Sequence, residues 1–419
     1  MKNKSVNIKK PNAALYFIAY ILVYPFLKIC FKLKVECKEL NIPKGPYIVL
    51  SNHFTMVDFL VSMLSLYPHR LNAVAAQKWF LYSPLHKLLP IVGCVPKNMF
   101  DPDVRSIIGM KTVLNRGDGI LLFPEGRCSS SHAYVGMHKS TGKMVKKFGV
   151  PVISCYIEGG TVCLPHWRKG YRCGRMRVTY KNLFSVEDIQ TLSIDEINDA
   201  IDARLSGVEG ALPVRADKPF KTLGSKQLTE GLQNILYYCP KCEAEYHMET
   251  FDCTIRCNAC GNEIVMDRES KLTPAPGSIV VGEGSITQWF QAQVRHEVEA
   301  LSDDMKPFIE NVKVRTPSPK PGGGMVESGS GVMRLDPEGW HFEGEISGEL
   351  VSLFFSIESV PAMSYDHNDN YQIYHGGNYY MFIPEDKRKC LKYVIIAECM
   401  HWRFSPKPLM TPGVVDYRK

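Results

Sequence analysis

Nowhere in the 419 residues does an apolar run reach the roughly 20 positions of an ordinary membrane-spanning helix, so a polytopic membrane protein is excluded. The first apolar stretch also lacks a small-residue cleavage site and does not read as a secretory leader. Acids are missing in two places. None precedes Glu36, so Lys2, Lys4, Lys9 and Lys10 stand unopposed, and none interrupts Arg168, Lys169, Arg172, Arg175, Arg177 and Lys181. Such clusters either face an anionic surface or are solvated faces with no partner. No nucleic-acid-binding module accompanies them. A nucleic acid partner is therefore not expected, and a phospholipid membrane surface fits better.

What is present is globular. Hydrophobic residues make up 45% and charged residues 22%, with a net charge of +7, in a chain long enough for about two to four domains. Fourteen cysteines would suit a secreted disulfide scaffold, but four have metal-ligand spacing and the others are scattered through apolar segments. A reducing cytoplasm is the expected compartment.

Residues 1–34 contain an uncharged, aromatic-rich stretch from 13 to 27, expected as a helix kinked near Pro25. It is short for spanning and has lysines at both ends. We expect an interfacial anchor at the cytoplasmic membrane face, the alternative being a buried helix. Residues 35–210 alternate apolar strands (47–50, 119–123, 151–157) with helical stretches (58–67, 104–115, 143–148, 193–205). That alternation predicts an α/β domain with a sheet and flanking helices. A short cysteine-bearing module follows at 228–266. Residues 285–419 open with an amphipathic helix, 285 to about 301, and pass a breaker run at 317–324. After Gly331 they show short strands (332–335, 340–343, 350–357, 371–374, 379–383) and a final helix, 387–403. That outline suits a β-rich domain of the pleckstrin-homology or GRAM kind.

The main chemical signal is Asn52-His53-Phe54-Thr55-Met56-Val57-Asp58, directly after a predicted strand and at the start of a helix. Strand ends that meet helix N-termini are where open α/β sheets collect catalytic groups. Side chains five apart on a regular helix diverge by roughly 140°, so contact requires His53 on the loop and Asp58 in the first turn reaching back. Asp58 would then orient the imidazole while its other nitrogen takes a proton from a substrate hydroxyl. The competing reading is structural: Thr55-x-x-Asp58 resembles a capping box, and His53 could be a satisfied core residue.

A second signal follows the strand at 119–123: Phe123-Pro124-Glu125-Gly126-Arg127. A guanidinium at a strand end suits bidentate phosphate binding, and Glu125 could bond a glycerol hydroxyl or steady the arginine. The competing reading is a surface turn with a weak ion pair. Cys128 comes next, but no base is placed for it in sequence, so it is not expected to act as a nucleophile. His132, His138 and Lys139 could extend the site.

Together the two motifs, in this order, resemble those of the lysophospholipid (glycerolipid) acyltransferase family, of the 1-acyl-sn-glycerol-3-phosphate acyltransferase kind, over roughly residues 35–180. The resemblance implies that His53, oriented by Asp58, deprotonates the free hydroxyl of lysophosphatidic acid. The hydroxyl then attacks the thioester of acyl-CoA or acyl-acyl carrier protein, with no acyl-enzyme required, giving phosphatidic acid. Glu125, Gly126 and Arg127 would bind the acceptor. The family's basic residue between the motifs is matched by Lys97 in Gly93-Cys94-Val95-Pro96-Lys97, and its later Val-Pro segment by Val150-Pro151. Lys97 could equally be a solvated loop lysine.

Cys239-Pro240-Lys241-Cys242 and Cys257-Asn258-Ala259-Cys260 form two knuckles separated by 14 residues, the spacing of a zinc ribbon. Four thiolates leave no open position, so the zinc is expected to be structural, although iron fits the same ligands. Cys253 reads as a fifth, non-ligand cysteine. Two other functional readings remain open: a lipid- or protein-tethering module whose acyltransferase-like domain is idle, or an enzyme that acylates another acceptor such as glycerol 3-phosphate.

Overall fold

The computed structural model describes residues 7–168, 170–207, 221–222, 228–302 and 305–418. Lys2, Lys4, Lys169 and residues 208–210 of the front segment lie outside them.

Helix α1 (Ala13–Cys30) begins at Asn12, whose side-chain oxygen accepts from the Leu15 amide at 3.0 Å. It includes Pro25 and continues past 27 through Lys28, whose Nζ donates to the Leu33 carbonyl. Its 18 residues have a mean hydropathy of 1.8, enough by length and composition to cross a membrane. Tyr16 and Leu27 are buried against the body. Phe17, Ile18, Ile21, Leu22, Phe26 and Ile29 are exposed.

The front unit is a seven-stranded mixed sheet with helices on both faces, as the alternation of elements predicts. It uses β1 (Lys34–Glu36), β2 (Tyr47–Ser51), β3 (Leu71–Ala76), β4 (Val95–Lys97), β5 (Gly119–Leu122) and β6 (Val152–Glu158). After the short β7 (Arg172–Cys173) comes β8 (Arg177–Phe184), and the order is β1-β8-β6-β2-β5-β3-β4. β7 pairs outside this sheet with β9 (Lys221–Thr222). Strands β6, β2, β5, β3 and β4 are parallel, and β8 runs antiparallel to β6. The central strands carry unbroken apolar runs because both faces are covered.

Alternation along β2 divides the core. Val49 faces a cluster with Tyr16 and Leu27 of α1 and Val61 of α2 (Asp58–Ser65). Ile48 and Leu50 face one built with α4 (Val104–Asn115), α5 (Ser140–Phe148) and α8 (Ile194–Leu205). Helix ends are chemically marked. Asp103 caps α4, Gly149 closes α5 in the left-handed region, and α8 starts with a Ser193/Glu196 capping box, as α7 (Val186–Thr191) does with Ser185/Asp188. The single-turn α6 (Gly160–Cys163) follows β6.

The sequence did not reveal β3, β4, the 3-10 turn Gln77–Leu81 or α3 (Leu85–Ile91). Alanines in β3 and a proline in each of β4 and α3 weaken the usual propensity signals. The basic stretch from 168 onward also differs from expectation. Arg168 and Arg172 are buried, bonded to Glu230 and to the Leu228 carbonyl, and Arg177 lies near Glu36 and Glu158. The partners of Arg168 and Arg172 come from distant parts of the chain, while Arg175 and Arg177 are half-buried and Lys181 is exposed.

The rest of the chain shares one apolar cluster running from Leu228 to Tyr417. Strands β10 (Met248–Phe251), β11 (Thr254–Cys257), β12 (Glu263–Met266) and β13 (Leu272–Pro274) form an antiparallel ribbon under α9 (Ile286–Ala300), which starts with a Ser285/Gln288 capping box. The last unit comprises β14 (Phe308–Pro317), β15 (Met325–Asp336), β16 (Gly339–Ile346), β17 (Glu349–Ser356), β18 (Ser364–Asp366), β19 (Asn370–His375), β20 (Asn378–Pro384) and the helix α10 (Cys390–Phe404). Its order is β17-β16-β15-β14-β20-β19-β18, entirely antiparallel. The β-rich unit thus begins at 308, well before Gly331. The breaker run is the tip of its first hairpin, whose glycines bond the 3-10 turn of the front unit: Gly324 N to Leu81 O at 2.8 Å and Ser83 N to Gly322 O at 3.0 Å.

Candidate active site

Strands β2, β5 and β6 lie side by side and point the same way, so the loops leaving their C-terminal ends meet on one sheet edge. Asn52, fully buried, leaves β2 first. Its side chain donates to Ile157 O at 2.9 Å and accepts from Ile157 N at 2.8 Å, continuing the ladder onto β6 with a carboxamide in place of a peptide. The next residue is thereby fixed at the sheet edge.

His53 and Asp58 are in contact: Nδ1 to Oδ2 is 3.2 Å. The Asp58 carboxylate is completely buried and also accepts from Phe54 N (2.6 Å), Thr55 N (2.7 Å) and Thr55 Oγ1 (2.5 Å). The two readings of this motif are therefore not exclusive, because one carboxylate closes the loop before α2 and holds the imidazole. Thr55, which sequence reasoning assigned only to a cap, is part of that holder. About a fifth of the His53 side chain (20%) stays accessible, and Phe123 stacks on the ring at 4.4 Å. Burial alone would lower the His53 pKa. The Cys128 thiol beside it and the bond to Asp58 outweigh burial, and the net direction is well above the ordinary value.

The turn after β5 meets the same loop. Glu125 is completely buried and accepts from His53 N at 2.6 Å and Val135 N at 3.1 Å. Both oxygens are engaged by backbone amides, so Glu125 neither pairs with Arg127 nor presents itself to a hydroxyl. It fixes the height of His53. Burial pushes its carboxyl up to about 8, against those two amide bonds and the nearby imidazole. Gly126 is required twice over: φ is +74°, and an added Cβ would lie 3.0 Å from the Phe100 ring. The 97–100 loop therefore lies across this turn. Lys97 ends β4, half-buried and without an ion-pair partner among the described residues. Burial lowers its pKa, opposed by Asp103 and Asp101.

Arg127 differs most from expectation. Its guanidinium faces the C-terminal unit. Nη1 lies 2.6 Å from Glu398 Oε1, Nη2 donates to Oε2 at 2.8 Å, and Nη1 donates to Met363 O at 3.1 Å. The fork expected to grip phosphate is closed by a carboxylate on α10. Burial opposes the arginine's charge but Glu398 holds it on, with a net rise in pKa. Around this pair Ser130 bonds Tyr365, and His166 Nδ1 meets His367 Nε2 at 2.7 Å. Lys78 reaches Gln372 at 3.2 Å. Thr411 N bonds Met137 O at 2.7 Å, where Gly136 (φ +85°) admits the passing strand because a Cβ would lie 2.2 Å from Thr411 O. His132 stacks on Trp167 and His138 accepts from Ser140 N. Burial takes their pKa values down to about 3 and about 4. Lys139 lies over the Trp402 ring.

The four knuckle cysteines come together, with all sulfurs within 4.8 Å of one another. Cys239 to Cys260 is 3.7 Å and Cys242 to Cys257 is 3.8 Å. A tetrahedral zinc with sulfur bonds of about 2.3 Å has edges of roughly 3.8 Å, so the donor set fits zinc. Cys253 is not one of the four.

Residues 32–158 match the acyltransferase family. Among solved structures, the chain is similar to the 1-acyl-sn-glycerophosphate (LPA) acyltransferase PlsC from Thermotoga maritima. The two are 21% identical over 46% of this chain and 78% of that one, with a TM-score of 0.40.

Proposed function

We propose that this protein is a membrane-associated O-acyltransferase that moves a fatty acyl group from a thioester, acyl-CoA or acyl-acyl carrier protein, to the free hydroxyl of lysophosphatidic acid. The observation that carries the reading is the His53–Asp58 contact at the end of β2, inside the segment that matches the acyltransferase family. Asp58 fixes the tautomer through Nδ1, leaving Nε2 to take the hydroxyl proton. Base catalysis of this kind contributes about 10²–10⁴ in rate. Glu125 and Asn52 act on the position of residue 53 and leave the substrate to others. With Arg127 committed to Glu398, Lys97 is the cation we assign to the acceptor phosphate. It is partly withdrawn from water and makes no ion pair among the described residues, which suits it to a phosphate headgroup.

The exposed apolar face of α1, joined by Met56 and Phe59 at the entrance to α2, supports docking on the cytoplasmic leaflet with the site facing lipid. The four thiolates would hold one zinc that ties the ribbon to the core beneath α9, a structural role with no place in the chemistry.

The test is transfer from a thioester to a panel of glycerol-based acceptors. His53→Ala should keep its fold and vesicle binding and lose transfer by at least about 100-fold. Equal turnover in variant and parent would remove His53 from the reaction.

A further inference from the structure

Trp167, Arg168 and Arg172 carry donors that the fold itself does not use. Arg172 is 1% exposed and Arg168 8%, with Trp167 buried beside them. Among the described residues, Arg172 Nε, Arg168 Nη1 and Trp167 Nε1 have no hydrogen-bond partner. Neither does Nε2 of His132, whose ring stacks on Trp167 at 4.7 Å. Buried polar groups are almost always satisfied, so four orphan nitrogens on adjoining side chains mark a place where a ligand completes the bonding. The charges do not balance either. Arg168 Nε meets Glu230 Oε2 at 3.3 Å, but Arg172 has only the Leu228 carbonyl. Burial, and then the neighbouring Arg168, take the Arg172 pKa down to about 10. Burial also pushes the Cys163 thiol beside Arg172 up to about 12, so that thiol adds no negative charge. Two guanidiniums thus share one carboxylate, and the surplus cation lies in the interior, where an unpaired charge is costly. The Glu230 side chain is 43% exposed, so it can turn outward and open a way in from solvent.

The position of this cluster says which anion it takes. Along the sheet order β6-β2-β5-β3-β4, His53 leaves the end of β2 and Lys97 ends β4 on one flank. On the other flank the chain leaves β6, forms α6 and reaches Trp167 and Arg168. Helix α6 abuts the catalytic loop, because a Cβ on Gly160 would lie 3.2 Å from Thr55 Cγ2 and 3.7 Å from Asp58 Oδ1. Two anionic substrates that meet at one base are best held from opposite flanks, and Lys97 is already assigned to the acceptor phosphate. We propose that Arg168 and Arg172, with the Trp167 indole N–H, bind a phosphate on the phosphopantetheine arm of the acyl donor, a group that acyl-CoA and acyl-acyl carrier protein share. The identity of the ligand rests on the acyl-transfer reading above, whereas the orphan donors and the surplus charge do not. A guanidinium offers phosphate oxygens paired N–H groups, and the incoming anion supplies the counter-charge that Arg172 lacks.

Calorimetry, which needs no turnover, tests the site. The parent should bind CoA and phosphopantetheine, and bind pantetheine, which has no phosphate, at least about 10-fold more weakly. Arg172→Met and Arg168→Met should each weaken CoA by a similar factor. In transfer assays each variant should raise the KM for palmitoyl-CoA and leave the KM for lysophosphatidic acid in place. With palmitoyl-pantetheine as donor, the parent should already show the raised KM, and the substitution should add nothing to it. Equal affinity of the parent for phosphopantetheine and pantetheine overturns the proposal, and this comparison decides alone if a variant does not fold. A folded variant that binds CoA like the parent overturns it as well. Inorganic phosphate or lysophosphatidic acid that binds in an Arg172-dependent way while CoA does not overturns the donor assignment in favour of free phosphate or a lipid headgroup. A parent that binds CoA through Arg172 and transfers no acyl group upholds the site and removes the acyl-transfer reading.

Discussion

The pairing of Arg127 with Glu398 leads to a prediction that separates a structural guanidinium from a substrate-binding one. The side chains are 10% and 6% exposed, and two nitrogen–oxygen contacts of 2.6 and 2.8 Å join them. Removing one member leaves the other charge buried and unpaired, at a cost of about 3–5 kcal/mol. At 1.4 kcal/mol per tenfold, that is roughly two to three and a half powers of ten in the equilibrium holding the C-terminal unit on the front unit. Replacing both at once with methionine removes the desolvation penalty together with the attraction, and such exchanges are neutral or stabilising by about 1–4 kcal/mol. We therefore expect Arg127→Met and Glu398→Met each to lower the denaturation midpoint sharply, and the double variant to recover most of the loss. The assays are urea denaturation followed by tryptophan fluorescence, and protease resistance of the junction. In the double variant the KM for lysophosphatidic acid should stay within about 3-fold of the parent. A double variant as unstable as the summed singles would refute the buried-pair argument. A tenfold rise in acceptor KM at parental stability would return Arg127 to the phosphate.

Two further outcomes follow from the site and the ribbon. A base works only when neutral, so with the His53 pKa raised, kcat/KM should climb with pH along a limb whose midpoint lies above 6.5. Asp58→Asn removes one cause of that rise, so its limb should move to lower pH while its plateau falls by at least about 100-fold. An unmoved limb would disconnect Asp58 from the imidazole. Elemental analysis should find one zinc per chain in the parent and less in Cys242→Ser, with chelation lowering the melting temperature. A metal-free parent of unchanged stability would rule the metal out.

How much of this was legible in one chain follows from sequence separation. His53 and Asp58 are five residues apart, and a strand before them and a helix after them leave few ways to arrange the loop. Their contact could be anticipated. The cysteine knuckles are equally local, since a tetrahedron constrains spacing. By contrast, Arg127 looked like a phosphate ligand because its acid lies 271 positions later, on a helix whose buried residues are mostly apolar. The same separation hid the interior partners of Arg168 and Arg172 and the role of Glu125, whose bond to His53 N crosses 72 positions. The imidazole that lies beside Cys128 is likewise 75 residues away in sequence. Strand β14 escaped notice because the buried Glu310 stands in line with Val312 and Val314 on its inner face while Ile309 is exposed, which breaks the apolar alternation.

The distance in sequence between Arg127 and Glu398 also sets a clock during synthesis. Translation proceeds at about 5–20 residues per second, so the 271 positions from Arg127 to Glu398 take roughly 15–55 s to emerge. Throughout that interval the front sheet can assemble, yet its arginine has no counter-ion and Tyr134 to Lys139 lack the tail residues that later bond to them. A nascent chain released early would expose a cationic, half-finished surface, the kind of intermediate that chaperones retain and proteases clear.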